Sequence, residues 1–257
     1  MVNMVNTAQI NSGNRTSEFG KRSGNAGPPV NNRRSAFTLI ELLTVIAIIA
    51  LLAGLVVGGT RYASTKIKES RIRAELNALA TAIDAYHAKF NSYPPDNVDP
   101  VTKIVNPITN SLYYELTGTI VDPDGKPRFR LPNRQQWIGT SVINNYFHAD
   151  GFLNAGPTPK DIKQFASLKS EQHKPIVKSP VEVEVLTVPV DWPLKKAGLP
   201  PPFNSPDPAV QRVNPWRYVC TQPTNNPATF DLWAEYVEGG KVRVICNWSK
   251  DVLERGQ

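Results

Sequence analysis

From Phe37 to Phe90 the chain runs 54 residues without a proline, although its 257 residues hold 23. Proline costs roughly 3 kcal/mol inside a helix, so its exclusion from so long a run predicts one continuous helix. Pro28 and Pro29 precede the run, and the other 21 prolines begin at Pro94. The first part, Leu39 to Thr60, is almost wholly apolar, broken by Glu41 and Thr44. At about 1.5 Å per residue it reaches roughly 33 Å, enough to cross a bilayer core. Residues 37–60 are therefore expected to be a transmembrane helix.

A secretory signal peptide has a shorter apolar core, about 7–15 residues, closed by a small-residue cleavage site. Here no turn and no Ala-x-Ala follows, and the helical pattern continues. Ile72, Leu76, Leu79, Ile83, Tyr86 and Phe90 alternate spacings of four and three, which is the stripe of an amphipathic helix. Residues 61–93 are read as its continuation onto a soluble domain. Asn91-Ser92-Tyr93-Pro94-Pro95 closes it, because proline cannot continue a helix and disfavours helix in the residue before it. Gly54 and Gly58 fit G-x-x-x-G, a spacing that permits close helix approach in lipid.

Charge is unevenly placed. Residues 1–36 hold Arg15, Lys21, Arg22, Arg33 and Arg34 against one acid, Glu18, while the remaining 221 residues carry 24 basic and 21 acidic side chains. A nucleic-acid surface would spread cations and aromatics over a folded face. A basic leader ahead of one apolar run predicts instead an N-terminus held in the cytoplasm, with the rest exported.

Glu41 is the informative residue of the run. A carboxylate deep in a membrane helix costs about 2.5–3.5 kcal/mol on insertion scales. Two residues into the run, an acid can also reach the interface. Its surroundings decide between these. Arg34-Ser35-Ala36-Phe37-Thr38-Leu39-Ile40-Glu41-Leu42-Leu43-Thr44-Val45 resembles the signal of type IV pilins and type II secretion pseudopilins. The resemblance implies that residues 1–36 are a leader, that a prepilin peptidase cuts between Ala36 and Phe37, and that Phe37 is then N-methylated. It implies that Glu41 neutralises the terminal amine of a neighbouring subunit during assembly; a buried acid is tolerable when paired with a cation. The family usually has glycine before the cut, where this chain has Ala36, so slower cleavage is expected.

After Pro95 the sequence turns to short strands and turns. Asp122-Pro123-Asp124-Gly125-Lys126 is a turn signal. Val181 to Val188 alternates with period two and reads as a half-buried strand, with Glu182 and Glu184 on its solvent side. Leu199 to Pro208 holds five prolines and reads as a loop. Trp216–Cys220, Thr229–Tyr236 and Lys241–Cys246 read as three antiparallel strands, with Glu238-Gly239-Gly240 as the last turn. Gln135–Phe147 and Asp161–Lys169 are expected as short helices. One long helix and a small antiparallel sheet make the fold class α+β, and the resemblance implies the pilin arrangement, with the helical stripe on the apolar sheet face.

Asn214-Pro215-Trp216 with Tyr218, then Phe230-Asp231-Leu232, then Asn247-Trp248 resembles the tail of G-type pseudopilins, and Tyr86 to Pro94 resembles the segment that closes their helix. The Trp and Tyr residues read as core aromatics. The G-type acidic loop binds calcium, which takes six to eight oxygen ligands. Glu235 to Cys246 holds two glutamates, no aspartate and two cations, so no calcium site is expected and a strand hairpin replaces the loop. The exported body, 94–257, carries a long insertion at about 97–212 that the family pattern does not cover. Cys220 and Cys246 each end a predicted strand; an exported domain permits disulfides, and a bond closing that loop would stabilise by roughly 3 kcal/mol.

His87, His148 and His173 fit no metal-ligand spacing, and no nucleophile elbow or phosphate-binding loop occurs. No metal, cofactor, catalytic residue or nucleic-acid partner is expected. The resemblance implies a structural subunit of a type II secretion pseudopilus, anchored once in a bacterial inner membrane with a periplasmic head. Its implied partners are copies of itself, other pseudopilins, the prepilin peptidase and the inner-membrane assembly platform. A type IV pilin of a surface fibre and a membrane-anchored periplasmic binding protein are the alternatives.

Overall fold

The computed structural model describes residues 37–193, 203, 207, 210 and 212–255, with the backbone alone at 57–61. The predicted leader 1–36, including Ala36, and the predicted loop Leu199–Pro208, apart from Phe203 and Asp207, lie outside the described residues. The chain forms two compact units, residues 1–53 and 54–257.

The proline-free run is one helix, α1 (Leu39–Phe90), of 52 residues. It ends at Phe90, three residues short of the 61–93 reading, where the Asn91–Pro95 closing segment begins. Asn91 takes a left-handed conformation (φ 54°) and its N–H donates to the His87 carbonyl at 2.8 Å; Asn tolerates this geometry better than most residues. In the first unit the large apolar side chains are exposed, with about half or more of their surface open. Leu39–Val56 has the length and composition to cross a membrane, and none of it is buried within the protein.

In the second unit the stripe turns inward. Ile72, Leu76, Leu79, Ile83 and Tyr86 are buried, and Phe90 packs against them. Each fully buried side chain of this size contributes about 1.5–3 kcal/mol. Following α1 come the hairpin β1 (Asn97–Val98) and β2 (Val105–Asn106), then helix α2 (Leu112–Thr117). Next are β3 (Thr119–Val121), β4 (Arg128–Arg130), β5 (Ile138–Gly139), helix α3 (Thr140–Phe147) and β6 (Ala155–Gly156). Their sheet has the order β5-β4-β3-β6, with β6 parallel to β3 and the other pairs antiparallel. The Asp122–Lys126 turn joins β3 to β4, closed by Gly125 N–H on the Asp122 carbonyl at 3.1 Å. A 3-10 turn at Ser170–Gln172 leads into a second hairpin, β7 (His173–Val177) and β8 (Val183–Leu186).

The C-terminal part is a four-stranded antiparallel meander: β9 (Arg217–Val219), β10 (Asp231–Glu238), β11 (Lys241–Cys246) and β12 (Leu253–Arg255), in the order β12-β11-β10-β9. Glu238 pairs with Lys241, so Gly239 and Gly240 alone make the turn. Both have positive φ, 57° and 79°, as a type I′ hairpin requires. The hairpin expected over Glu235–Cys246 is thus present. Trp216, Tyr218, Leu232, Ala234, Tyr236 and Ile245 from this sheet share one core with the α1 stripe. The fold is α+β, as expected.

The insertion departs from the sequence reading in three places. Helix forms only from Thr140, not from Gln135, and Asp161–Lys169 is irregular. There the backbone bonds elsewhere: the N–H groups of Phe165 and Ala166 donate to the Leu116 carbonyl, and Asn154 brackets Lys163 through both its amide atoms. Finally, Glu184 is buried rather than on a solvent face; β8 is covered on both sides.

Candidate functional site

The motif residues meet at the start of α1. Thr38 is the residue before the helix and Glu41 lies in its first turn. The Thr38 N–H and Oγ1–H both donate to Glu41 Oε2, at 2.8 Å each, and the Glu41 N–H donates to Thr38 Oγ1 at 3.3 Å. This reciprocal capping box satisfies N–H groups that a helix start leaves without partners. Its standard signature, Thr38-x-x-Glu41, stands in the sequence itself. Both bonds fall on one carboxylate oxygen. Glu41 Oε1 carries no hydrogen bond among the described residues and stands exposed, open to a cation. Phe37 is exposed beside it. The helix therefore uses half of the acid and leaves the other half available.

Among the described residues, three buried acids of the body, Glu115, Glu184 and Glu235, each anchor a polar cluster. Glu115 of α2 accepts from Tyr86 Oη at 2.9 Å, from the Leu153 N–H at 2.9 Å and from the Asn154 N–H at 2.9 Å. Burial pushes its carboxyl above the usual range, against the pull of those donors. In the second cluster Glu184 meets Arg134 at 3.1 Å and His173 Nδ1 at 2.9 Å, and its own N–H donates to Tyr114 Oη. Arg134 also reaches Glu182 at 3.2 Å. The third places the buried Arg217 3.4 Å from Glu235, with its guanidinium 5.6 Å from the Trp192 ring centre. Burial lowers the Arg217 pKa to about 10. In each cluster every charge is bonded to structural partners, so all three read as fastenings of the fold.

The tail residues that carried the resemblance are structural as well. Asn214 donates to the carbonyls of Val190 and Glu235, and Asp231 accepts the N–H groups of Asn225 and Asn226. Asn247 donates to the Phe230 carbonyl and accepts the Leu232 N–H. Trp216 and Tyr218 are buried, and Trp248 sits edge-on to Trp233. His87 is half-buried and stacks on Tyr93.

Cys220 and Cys246 are free thiols, so the possible bond between them is not formed in this structure. Strands β9 and β11 each pair with β10 and not with one another. Two strand spacings, about 9–10 Å, exceed the roughly 7 Å within which Cα atoms can be bridged. Cys220 instead donates through Sγ to the Pro94 carbonyl at 3.4 Å, and burial raises its pKa to about 11. Among the described residues no group of three or more His, Cys, Asp or Glu could hold a metal ion.

Residues 31–57 match the prokaryotic N-terminal methylation motif, an interval that contains Ala36, Phe37 and Glu41. The chain is similar to the type II secretion system core protein G of Aeromonas hydrophila, 37% identical over 62 residues. That alignment spans 24% of this chain and 43% of the relative. No solved structure matches. The motif and the apolar helix fit a membrane-anchored protein.

Proposed function

We propose that this chain, a member of the pilin and pseudopilin family with a G-type relative, is a structural subunit of a type II secretion pseudopilus. The observation that carries the reading is the motif match over residues 31–57, joined to the similarity to a type II secretion core protein G. In this reading a prepilin peptidase removes residues 1–36 by cutting between Ala36 and Phe37, and Phe37 is N-methylated. The helix anchors the subunit once in the inner membrane, with its body in the periplasm. Glu41 then uses its open oxygen to pair with the Phe37 ammonium of a neighbouring copy. The helices bundle with copies of this chain and other pseudopilins at the assembly platform, and growth of the filament drives protein export. The protein itself is not an enzyme. What supports this is that the buried acids among the described residues, Glu115, Asp122, Glu184, Asp231 and Glu235, are engaged in holding the fold.

N-terminal sequencing of the mature protein tests the first step, with methylated phenylalanine expected at cycle one. A mature chain still carrying Arg33 and Arg34 refutes it. Deletion separates the pseudopilus from a surface fibre: export of secreted proteins should fail while surface fibres persist.

A further inference from the structure

The segment of α1 just past the apolar run is unusually basic. Residues 61–73 hold Arg61, Lys66, Lys68, Arg71 and Arg73 against one acid, Glu69. Residues 74–90 of the same helix hold two acids, Glu75 and Asp84, and one lysine, Lys89. The cations are thus gathered at the membrane end. On an exported flank this is the placement that orientation rules disfavour, so it asks for a different cause.

The acids nearby are already engaged. Glu69 accepts from Tyr236 Oη at 3.2 Å as well as from Lys66 at 2.8 Å, and Glu238 accepts from Thr65 Oγ1 at 2.7 Å. Lys68 is exposed with no ion pair among the described residues. The Lys66–Glu69 pair is exposed on its lysine side, and such pairs hold weakly. Tyr62 is 69% exposed immediately beyond the run, the position where aromatic residues anchor in the interface. The Lys66 ammonium lies 5.9 Å from the Tyr62 ring centre, one turn nearer the apolar segment.

Distance then sorts the cations. Each headgroup layer is roughly 5–8 Å deep. Lys66 and Lys68 stand about 9 and 12 Å along the axis from Thr60, and Arg71 about 17 Å. Cα–Cβ bonds lean toward a helix N-terminus, here toward the membrane, and lysine stems add several ångströms of reach. Lys66 and Lys68 fall within a screening length of the phosphates, about 8 Å, whereas Arg71 does not.

We infer that Tyr62, Lys66 and Lys68 form a collar that binds the headgroups of anionic phospholipids around the emerging helix. The inference rests on the membrane-anchored reading. Its test uses the full-length chain in bicelles of equal phosphatidylglycerol and phosphatidylcholine, with retained lipid counted by native mass spectrometry. Each cation near a lipid surface is worth about fivefold, so the unaltered chain should retain phosphatidylglycerol tenfold or more over phosphatidylcholine. The double variant K66Q/K68Q should lose about tenfold or more of that preference while Arg61 remains, and R71Q should stay within twofold of the unaltered chain. All three substituted side chains are exposed, and circular dichroism checks that the fold persists. Parity in the unaltered chain, an undiminished preference in K66Q/K68Q, or an equal loss in R71Q overturns the collar. Cross-linking of Lys66 and Lys68 to a second copy in place of lipid also overturns it. Alkaline extraction separates the two readings. Release of the chain from membranes removes both, whereas an unextractable chain without lipid preference removes the collar alone.

Discussion

Replacing Tyr86 with phenylalanine removes one oxygen from the contact between α1 and the insertion. That oxygen donates to Glu115 Oε2 at 2.9 Å, and both side chains are buried. A hydrogen bond to a charged group contributes about 1.5–3 kcal/mol. The two remaining donors, Leu153 N–H and Asn154 N–H, belong to the backbone and cannot move to compensate. The expected loss is about 2 kcal/mol, or roughly 4–8 °C in Tm for a domain of this size. The loss should also depend on pH. Burial already holds the folded pKa of Glu115 above its unfolded value. Stability is therefore greatest below the unfolded pKa and falls as pH rises through the folded one. Removing a donor raises the folded pKa further, so Tyr86→Phe costs most near neutrality and least in acid. In a Glu115→Gln background the charge is gone, and the same substitution should cost about 1 kcal/mol or less. Thermal unfolding of the full chain in detergent, followed across about pH 4 to 8, reads all three effects. A loss under 0.5 kcal/mol at neutral pH, on the scale of an ordinary surface change, or one that ignores pH, refutes the argument.

Glutamine at position 41 keeps the capping box but not the charge, so Glu41→Gln should insert normally and fail to assemble; filaments at the unaltered level would count against the pairing with Phe37. Intact mass of the unreduced protein should correspond to two thiols, and a mass lower by two hydrogens would restore the Cys220–Cys246 bond. Alkylation should reach half-buried Cys220 before the buried Cys246. Gly240→Ala forces an alanine to φ 79° and should destabilise the hairpin by roughly 1–2 kcal/mol, measurable by urea unfolding; an unchanged midpoint would mean the turn has relaxed to another type.

How much of this was legible in the sequence follows from how local each signal is. Helix α1 is legible to within three residues of its end because absence of proline, a four-three stripe and Asn91-Ser92-Tyr93-Pro94 all act along the chain itself. The β10–β11 hairpin was readable because Gly239-Gly240 permits positive φ. Glu184 was misread because alternation reports two faces of a strand but not what covers them; here Arg134 and His173 arrive from other segments to meet the acid. Asp161–Lys169 failed as a helix because its N–H groups found Leu116, about 50 residues earlier in the chain. The pairing state of the cysteines is not legible, because sequence shows that two strands end alike and does not show that a third lies between them. Thr38 was the avoidable omission, since its capping signature with Glu41 is entirely local.

The split use of the Glu41 carboxylate bears on how a subunit would join its neighbours. One oxygen is committed to the first turn of its own helix, so docking would not require that turn to unravel and form again. An incoming ammonium would add a contact without displacing an older one, and departure would take away only what arrival supplied. Such a joint would be made and unmade with the first turn of the helix unchanged.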